Sequence, residues 1–288
     1  MMKKIVLALG YFDSLHIGHQ EILKRVKGLA EELFVEPAVF TFDGDLNAYF
    51  GKKPLQVFTK TEKELKLADL GITEIIYAPV SEEFLSKSKE EFLEFLDGRA
   101  EVVAYVCGSD FCFGNKAEGN VEFLKEYAEN RGRKVIVVDE VLYNGNRAST
   151  TLVKNSLAIG DIKTANGLLG YDFSVTGTVV KGRGDGKKMD FPTVNVEVSK
   201  EKFMPKFAVY TGYVIIDGKR YKSVINYGFA PTFGIEKSVL EAFIIGFDGD
   251  LYGKTLTVYF TDYIREICKF SSIEELKDRI KKDIAFYD

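Results

Sequence analysis

What most constrains this chain is a change of grammar part-way along it. Up to about residue 169, short apolar runs alternate with segments of helical period. "KIVLALG" ends in Gly10 and reads as a buried parallel strand. After it, Ile22, Val26, Leu29 and Leu33 recur at helical spacing, with Leu23 and Ala30 widening the stripe. "EPAVFTF", "ITEIIYAPV", "AEVVAYVCG" and "RKVIVVDEV" read as strands. "TKTEKELKLADLG", "SKEEFLEFLDG" and "NVEFLKEYAENRG" read as helices. Such alternation predicts an α/β domain, a parallel sheet with helices on both faces.

A last helical stretch runs from about Thr151 to Leu169, interrupted near Gly160. Beyond Gly170 the pattern turns to strands and turns: "DFSVTGTVVKG", "TVNVEV", "AVYTGYVIIDGKRYKSVINYG", "VLEAFIIGF" and "KTLTVYFTDYI". Asp217-Gly218 between two alternating runs signals a hairpin. "SSIEELKDRIKKDIAFY" predicts an amphipathic helix capped by Ser271 or Ser272. The second half is therefore expected to be an antiparallel sheet or small β-barrel with a terminal helix. The expected domains are 1–170 and 171–288.

Composition narrows the partners. The 288 residues carry a net charge of −4, which gives no bulk attraction to nucleic acid or an anionic membrane. No apolar run reaches membrane-spanning length, and the N-terminus lacks a signal peptide's long apolar region. A cytoplasmic protein with neither nucleic acid nor membrane as partner is expected. Cys107, Cys112 and Cys268 make no metal-type pairing and are read as buried structural thiols. Nothing here fixes the oligomeric state.

The chain's only two histidines lie in "LALGYFDSLHIGHQEIL", where the first strand gives way to a helix. A helix N-terminus at that place offers free N–H groups and a positive dipole end to phosphate. Gly18 allows close approach to the backbone. His16 and His19, three apart, share a face and can donate hydrogen bonds to a triphosphate. Adenylyl transfer needs no enzyme nucleophile, only positioning and charge stabilisation. The tetrapeptide His16-Ile17-Gly18-His19 is also the signature of class I aminoacyl-tRNA synthetases. Those usually are longer and need a Lys-rich loop outside the β-rich half.

The fuller motif set points elsewhere. "GYFDSLHIGH", "GSDFCFG", "RASTTLVK", "FPTVN" and "LEAFIIGFDGDLYGK" occur in the order found in bacterial bifunctional riboflavin kinase/FAD synthetases. The chain resembles that family over essentially its whole length. The resemblance implies a Rossmann-like nucleotidyltransferase domain followed by a kinase barrel. It implies ATP and Mg²⁺ in riboflavin phosphorylation to FMN, and a second ATP in adenylyl transfer to FMN, giving FAD.

On that resemblance His16 and His19 stabilise the triphosphate, while Gly10, Phe12 and Gly18 shape the nucleotide loop. Asp13 either caps a turn or orients a ligand. Asp110 and Phe111 follow a strand and a glycine, so they contact nucleotide or flavin, although Phe111 and Phe113 also suit core packing. Arg147, Thr150, Thr151 and Lys154 combine N-capping with an anion clamp. Thr193 and Asn195 alternate along a strand, share one side, and supply oxygens suited to Mg²⁺. Glu241, within an apolar strand, is either a solvated outward residue or the base for the riboflavin 5′-hydroxyl, the role implied by the resemblance. "KGRGDGKKMDFP", with Gly182, Lys187 and Pro192, reads as a mobile hairpin or a flap over ATP.

Departures from the family pattern are Ser14, Ala208 and Asp190 for glycine, Lys154 and Lys187 for arginine, Lys181 for histidine and Ala230 for arginine. Phe243 and Gly246 replace a common histidine and aspartate, and Pro-His-Pro is missing from "FTFDGDLNAYFGKKPLQVFT". Lysine for arginine keeps charge but loses the bidentate fork. Two further readings stay open: a relative with one decayed site, and a non-catalytic flavin or nucleotide binder.

Overall fold

The computed structural model describes residues 2–51, 55–182, 191–232 and 235–287. Lys187 and Asp190 of the expected flap lie outside the described residues. Contacts divide the chain into two compact units, Met1–Thr150 and Thr151–Asp288. The paired helices spanning 150–169 thus group mainly with the second unit.

The first unit holds five parallel strands: β1 (Lys4–Leu9), β2 (Glu36–Asp43), β3 (Glu74–Pro79), β4 (Glu101–Gly108) and β5 (Lys134–Val138). Their order is β3-β2-β1-β4-β5. β1 is central, and its five residues from Ile5 to Leu9 are buried. A strand covered on both faces reads as a continuous apolar run, which is why "IVLAL" shows no alternation. Sequence order reverses between β1 and β4, so a crevice opens beyond their carboxyl ends.

Helix α1 (Ile17–Leu33) follows β1 and buries Ile22, Leu23, Val26, Leu29 and Ala30. Leu33 departs from the expected stripe and is exposed, because the helix ends beside it at Phe34, in the left-handed region. Three further helices are begun by side chains the sequence supplies. Thr59 caps Lys60–Asp69 and Ser88 caps Lys89–Asp97, each in a capping box, and Asn120 caps Val121–Glu129. Cys107 is buried as expected, but Cys112 and Cys268 are exposed, since each lies in a loop.

The second unit is a closed six-stranded antiparallel barrel in the order β10-β11-β12-β9-β8-β13. The strands are β8 (Ser174–Val180), β9 (Thr193–Glu197), β10 (Ala208–Ile216), β11 (Lys219–Thr232), β12 (Ile235–Ile244) and β13 (Thr255–Arg265). A small hairpin in the first unit supplies β6 (Leu142–Tyr143) and β7 (Asn146–Arg147). Asp217 and Gly218 both have positive φ, as a two-residue hairpin requires.

Ser272 caps the terminal helix, Ile273–Ile284. That helix is docked by Arg265, whose Nη2 lies 2.6 Å from Oδ2 of the buried Asp283. Tyr287 beyond it bonds the backbone of Gly212 and Ser223. Among the described residues no helix is long and apolar enough to cross a membrane.

Candidate functional site

A cavity of about 690 Å³ opens in the first unit where the sheet order reverses. One wall is the turn after β1, with Gly10, Tyr11, His16, Gly18 and His19. The facing wall is the loop after β4, with Asp110, Phe111 and Phe113, and then Arg147 to Thr150. The volume suits a drug-sized or nucleotide-sized ligand.

His16 caps α1 through Nδ1, which accepts the His19 N–H at 3.3 Å. The two rings stack with centroids 3.8 Å apart. Burial, with Arg147 close by, lowers the His16 pKa to about 4. His19 is also pushed well below its ordinary value, by burial first and then by His16 and Lys63. Both imidazoles are therefore neutral at pH 7, each with one N–H to donate. His19 Nδ1 is buried without a hydrogen-bond partner among the described residues. Gly18 is where the backbone must pass close to a ring: a Cβ there would sit 3.1 Å from His16.

Phe12 and Asp13 are fully buried and do not line the cavity. The Phe12 ring sits under Gly10 and meets His19 edge-on at 5.1 Å. Asp13 Oδ1 accepts the Val57 N–H at 2.8 Å. These residues build the turn from behind, and Tyr11 presents itself to the cavity instead. Ser14 has no positive φ, although Phe12 (52°) and Leu15 (44°) do. The serine therefore needs none of glycine's freedom. Its hydroxyl is 2.9 Å from that of Thr150, tying the turn to the hydroxyl cluster.

Arg147 reaches the cavity from the β6–β7 hairpin, whose turn at Asn144-Gly145 has both φ angles positive. Its guanidinium pairs with Asp110 at 2.5 Å and with Glu140 at 2.9 Å. All three carry substantial exposure, so a triphosphate can exchange for these carboxylates at modest cost. Thr150 lines the cavity, whereas Thr151 and Lys154 belong to the second unit, on the helix beginning at Thr150. Thr151 is exposed there, and the Lys154 ammonium lies 5.9 Å from the Phe203 ring.

Much of the cavity lining is aromatic. Phe40, Phe42, Phe84, Phe92, Phe111 and Phe113 all line it. Phe111 stacks on Phe113 with centroids 5.4 Å apart, and Phe113 joins the core through Phe92. Both rings of this pair line the cavity, and Phe113 is also buried in the core. The lining thus combines hydrogen-bond donors and the Arg147 cation with a cluster of phenylalanine rings.

The second unit assembles a separate group on the barrel. β12 pairs with β9 so that Glu241 faces Asn195 and Phe243 faces Thr193. β11 places Asn226 opposite Glu241, and its Nδ2 donates to Glu241 Oε2 at 3.3 Å. Leu240 and Ala242, the neighbours of Glu241 along the strand, are buried in the barrel. Alternation therefore turns Glu241, Asn226, Asn195 and Thr193 to the outer face together. A Cβ at Gly182 would fall 2.1 Å from Asn195 Nδ2, so only glycine leaves this amide its place. Pro192 is exposed beside Thr193. Phe243, where a histidine was expected, packs edge-on against Phe191 at 5.4 Å.

A family model described as FAD synthetase matches residues 1–152, and one described as riboflavin kinase matches 169–288. A bifunctional riboflavin kinase/FMN adenylyltransferase from Pseudomonas fluorescens is 34% identical over 284 residues, covering 97% of this chain and 91% of its own. One from Listeria monocytogenes is 29% identical over 282 residues, covering 96% and 90%. A crystal structure of a macrolide-efflux protein from Streptococcus pneumoniae superposes with a TM-score of 0.90 at 30% identity, covering 98% of this chain and 93% of that one.

Proposed function

Since the chain belongs to the bifunctional riboflavin kinase/FMN adenylyltransferase family, we propose a residue-level division of labour for its two reactions. The enzyme makes FAD from riboflavin in two ATP-dependent steps. The first domain, within 1–170, carries adenylyl transfer, and the second, within 171–288, carries the kinase.

The observation that carries the adenylyl reading is a single cavity lined both by the donors His16, His19 and Arg147 and by a cluster of phenylalanine rings. FMN carries a flat ring and a phosphate, which suit these two kinds of lining. In the reaction an FMN phosphate oxygen bonds the α-phosphorus of ATP, the bond to the bridging oxygen breaks, and pyrophosphate leaves. His16 and His19 donate ring N–H groups to phosphate oxygens whose charge shifts in the transition state. Arg147 exchanges Asp110 and Glu140 for the triphosphate. Gly10 and Gly18 let the nucleotide approach, and Thr150 joins Ser14 in fixing that approach.

In the kinase, Glu241 accepts the proton of the riboflavin 5′-hydroxyl as its oxygen bonds the γ-phosphorus and ADP leaves. Asn226 orients that carboxylate through the 3.3 Å hydrogen bond. Thr193 Oγ1 and Asn195 Oδ1 would hold Mg²⁺, for which hard oxygens on one strand face and the space left by Gly182 are a fitting donor set. When bound, the ion neutralises phosphate charge. Pro192, exposed beside Thr193, flanks ATP. Free flavin and ATP are intracellular substrates, and we place the enzyme in the cytoplasm.

The test is direct. Incubation with riboflavin, ATP and Mg²⁺, followed by chromatography, yields FMN and then FAD. FMN without FAD removes the adenylyl assignment. FAD from added FMN with riboflavin untouched removes the kinase assignment. No product from either flavin leaves only a binder.

A further inference from the structure

We propose that Lys63 is a positioning residue for adenylyl transfer: its buried side chain holds the turn after β1 that leads to His16 and His19. This rests on the assignment of adenylyl transfer to the cavity.

Lys63 lies on the helix Lys60–Asp69 and is only 2% exposed. A lysine that deep is costly unless its charge is used or its donors are satisfied. Its Nζ lies 3.4 Å from Thr41 Oγ1 and 3.5 Å from the Tyr11 carbonyl. Thr41, itself fully buried, donates to that same carbonyl at 2.6 Å. Nζ also stands 5.3 Å from the centroid of the Tyr11 ring. Backbone and side chain of Tyr11 are thus gripped together.

The turn needs such a grip. Phe12 and Leu15 are non-glycine residues in the left-handed region, within four residues of each other. Such a conformation is costly for an L-residue and persists only where its surroundings over-determine it. The Lys63–Thr41–Tyr11 contacts act from one side, and Asp13 with the Val57 amide acts from another. Relaxation of the turn would move Phe12, and with it the edge contact that seats His19.

Charge gives Lys63 its second effect. Burial lowers its pKa, and Asp13, Asp43, Asp45 and Glu64 oppose that shift. The groups acting on His19 are His16 and Lys63, both disfavouring its imidazolium. Those on His16 are Arg147 and Asp110, of opposite sign. Replacing Lys63 by a neutral side chain therefore removes one of the groups that disfavour the His19 imidazolium.

The experiment compares wild type, Lys63→Met, Lys63→Arg and Thr41→Val in FAD synthesis from FMN, with thermal melting of each. Lys63→Met is expected to lower kcat about tenfold to a hundredfold, more than it changes KM for ATP. Its imidazole limb in the pH profile should move up. Lys63→Arg should restore the limb, and Thr41→Val should lower kcat several-fold with a native-like melt. Full kcat and an unmoved limb in Lys63→Met overturn the proposal. If Lys63→Met does not fold, unchanged kcat in Thr41→Val overturns it and a lowered one supports it. A wild type that makes no FAD fails the cavity's assignment first, and the role of Lys63 falls with it.

Discussion

The two units build their chemistry in opposite ways. In the first, the working side chains come from loops at strand ends, and rigidity comes from what is buried behind them: Phe12, Asp13, Thr41 and Lys63. In the second, the working side chains stand on strands, and register alone brings them together. Glu241 meets Asn195 on one side and Asn226 on the other because β9, β12 and β11 pair at that row. A loop-built site depends on many supports, so damage spreads. A ladder-built site concentrates its chemistry in single side chains, so damage is local and severe.

The sharpest break of that comparison is Glu241→Ala. Loss of the base proposed at Glu241 should lower FMN formation about a thousandfold. FAD synthesis from added FMN should persist. Chromatography of both reactions checks it, and loss of both activities would mean that the division between the units is misassigned. His19→Ala should come next. It removes one donor to the phosphates and should lower FAD formation about a hundredfold. FMN formation from riboflavin should be spared.

How much of this the sequence discloses follows the same contrast. Strands, helices and the hairpin at Asp217-Gly218 are legible because periodicity and turn chemistry are local. Thr193, Asn195 and Glu241 are legible by resemblance, but their meeting is a matter of register, which no single segment contains. Asn226, the partner of Glu241, therefore went unread. Asn144-Gly145 was a missed signal: the dipeptide marks the hairpin that delivers Arg147 to the cavity. Lys63 carried no signal at all, being one of several charges on an amphipathic helix. Only packing distinguishes it from Lys60, half-exposed at the head of that helix and paired with Asp43. Ser14 was legible as a departure, though not as a tie to Thr150.

Acid should separate the units by stability. The unfolded chain binds protons at His16 near pH 6.5, whereas the folded chain resists until about pH 4. Between those values the unfolded state binds more protons, so stability falls as pH falls through the window. His19, displaced in the same direction, adds to the effect. Melting of the ligand-free protein from pH 7 to 4 should show this loss in the transition reporting the first unit. His16→Asn should flatten the dependence, and an unchanged slope would place the acid sensitivity elsewhere.

The smallest effect belongs to Ser14. Its hydroxyl and that of Thr150 are 2.9 Å apart, across 136 positions of sequence. A neutral hydrogen bond of this kind is worth about 1 kcal/mol net, or roughly fivefold in an equilibrium. Ser14→Ala keeps the backbone, since no left-handed φ is involved, and removes the tie. Thr150 then turns freely toward the cavity, so KM for ATP in FAD synthesis should rise a few-fold with kcat nearly unchanged. Steady-state kinetics at varied ATP separates the two constants. A fall in kcat with unchanged KM would mean that the turn itself moves in the transition state. In that case the rigidity ascribed to its buried supports would be incomplete without the tie to Thr150.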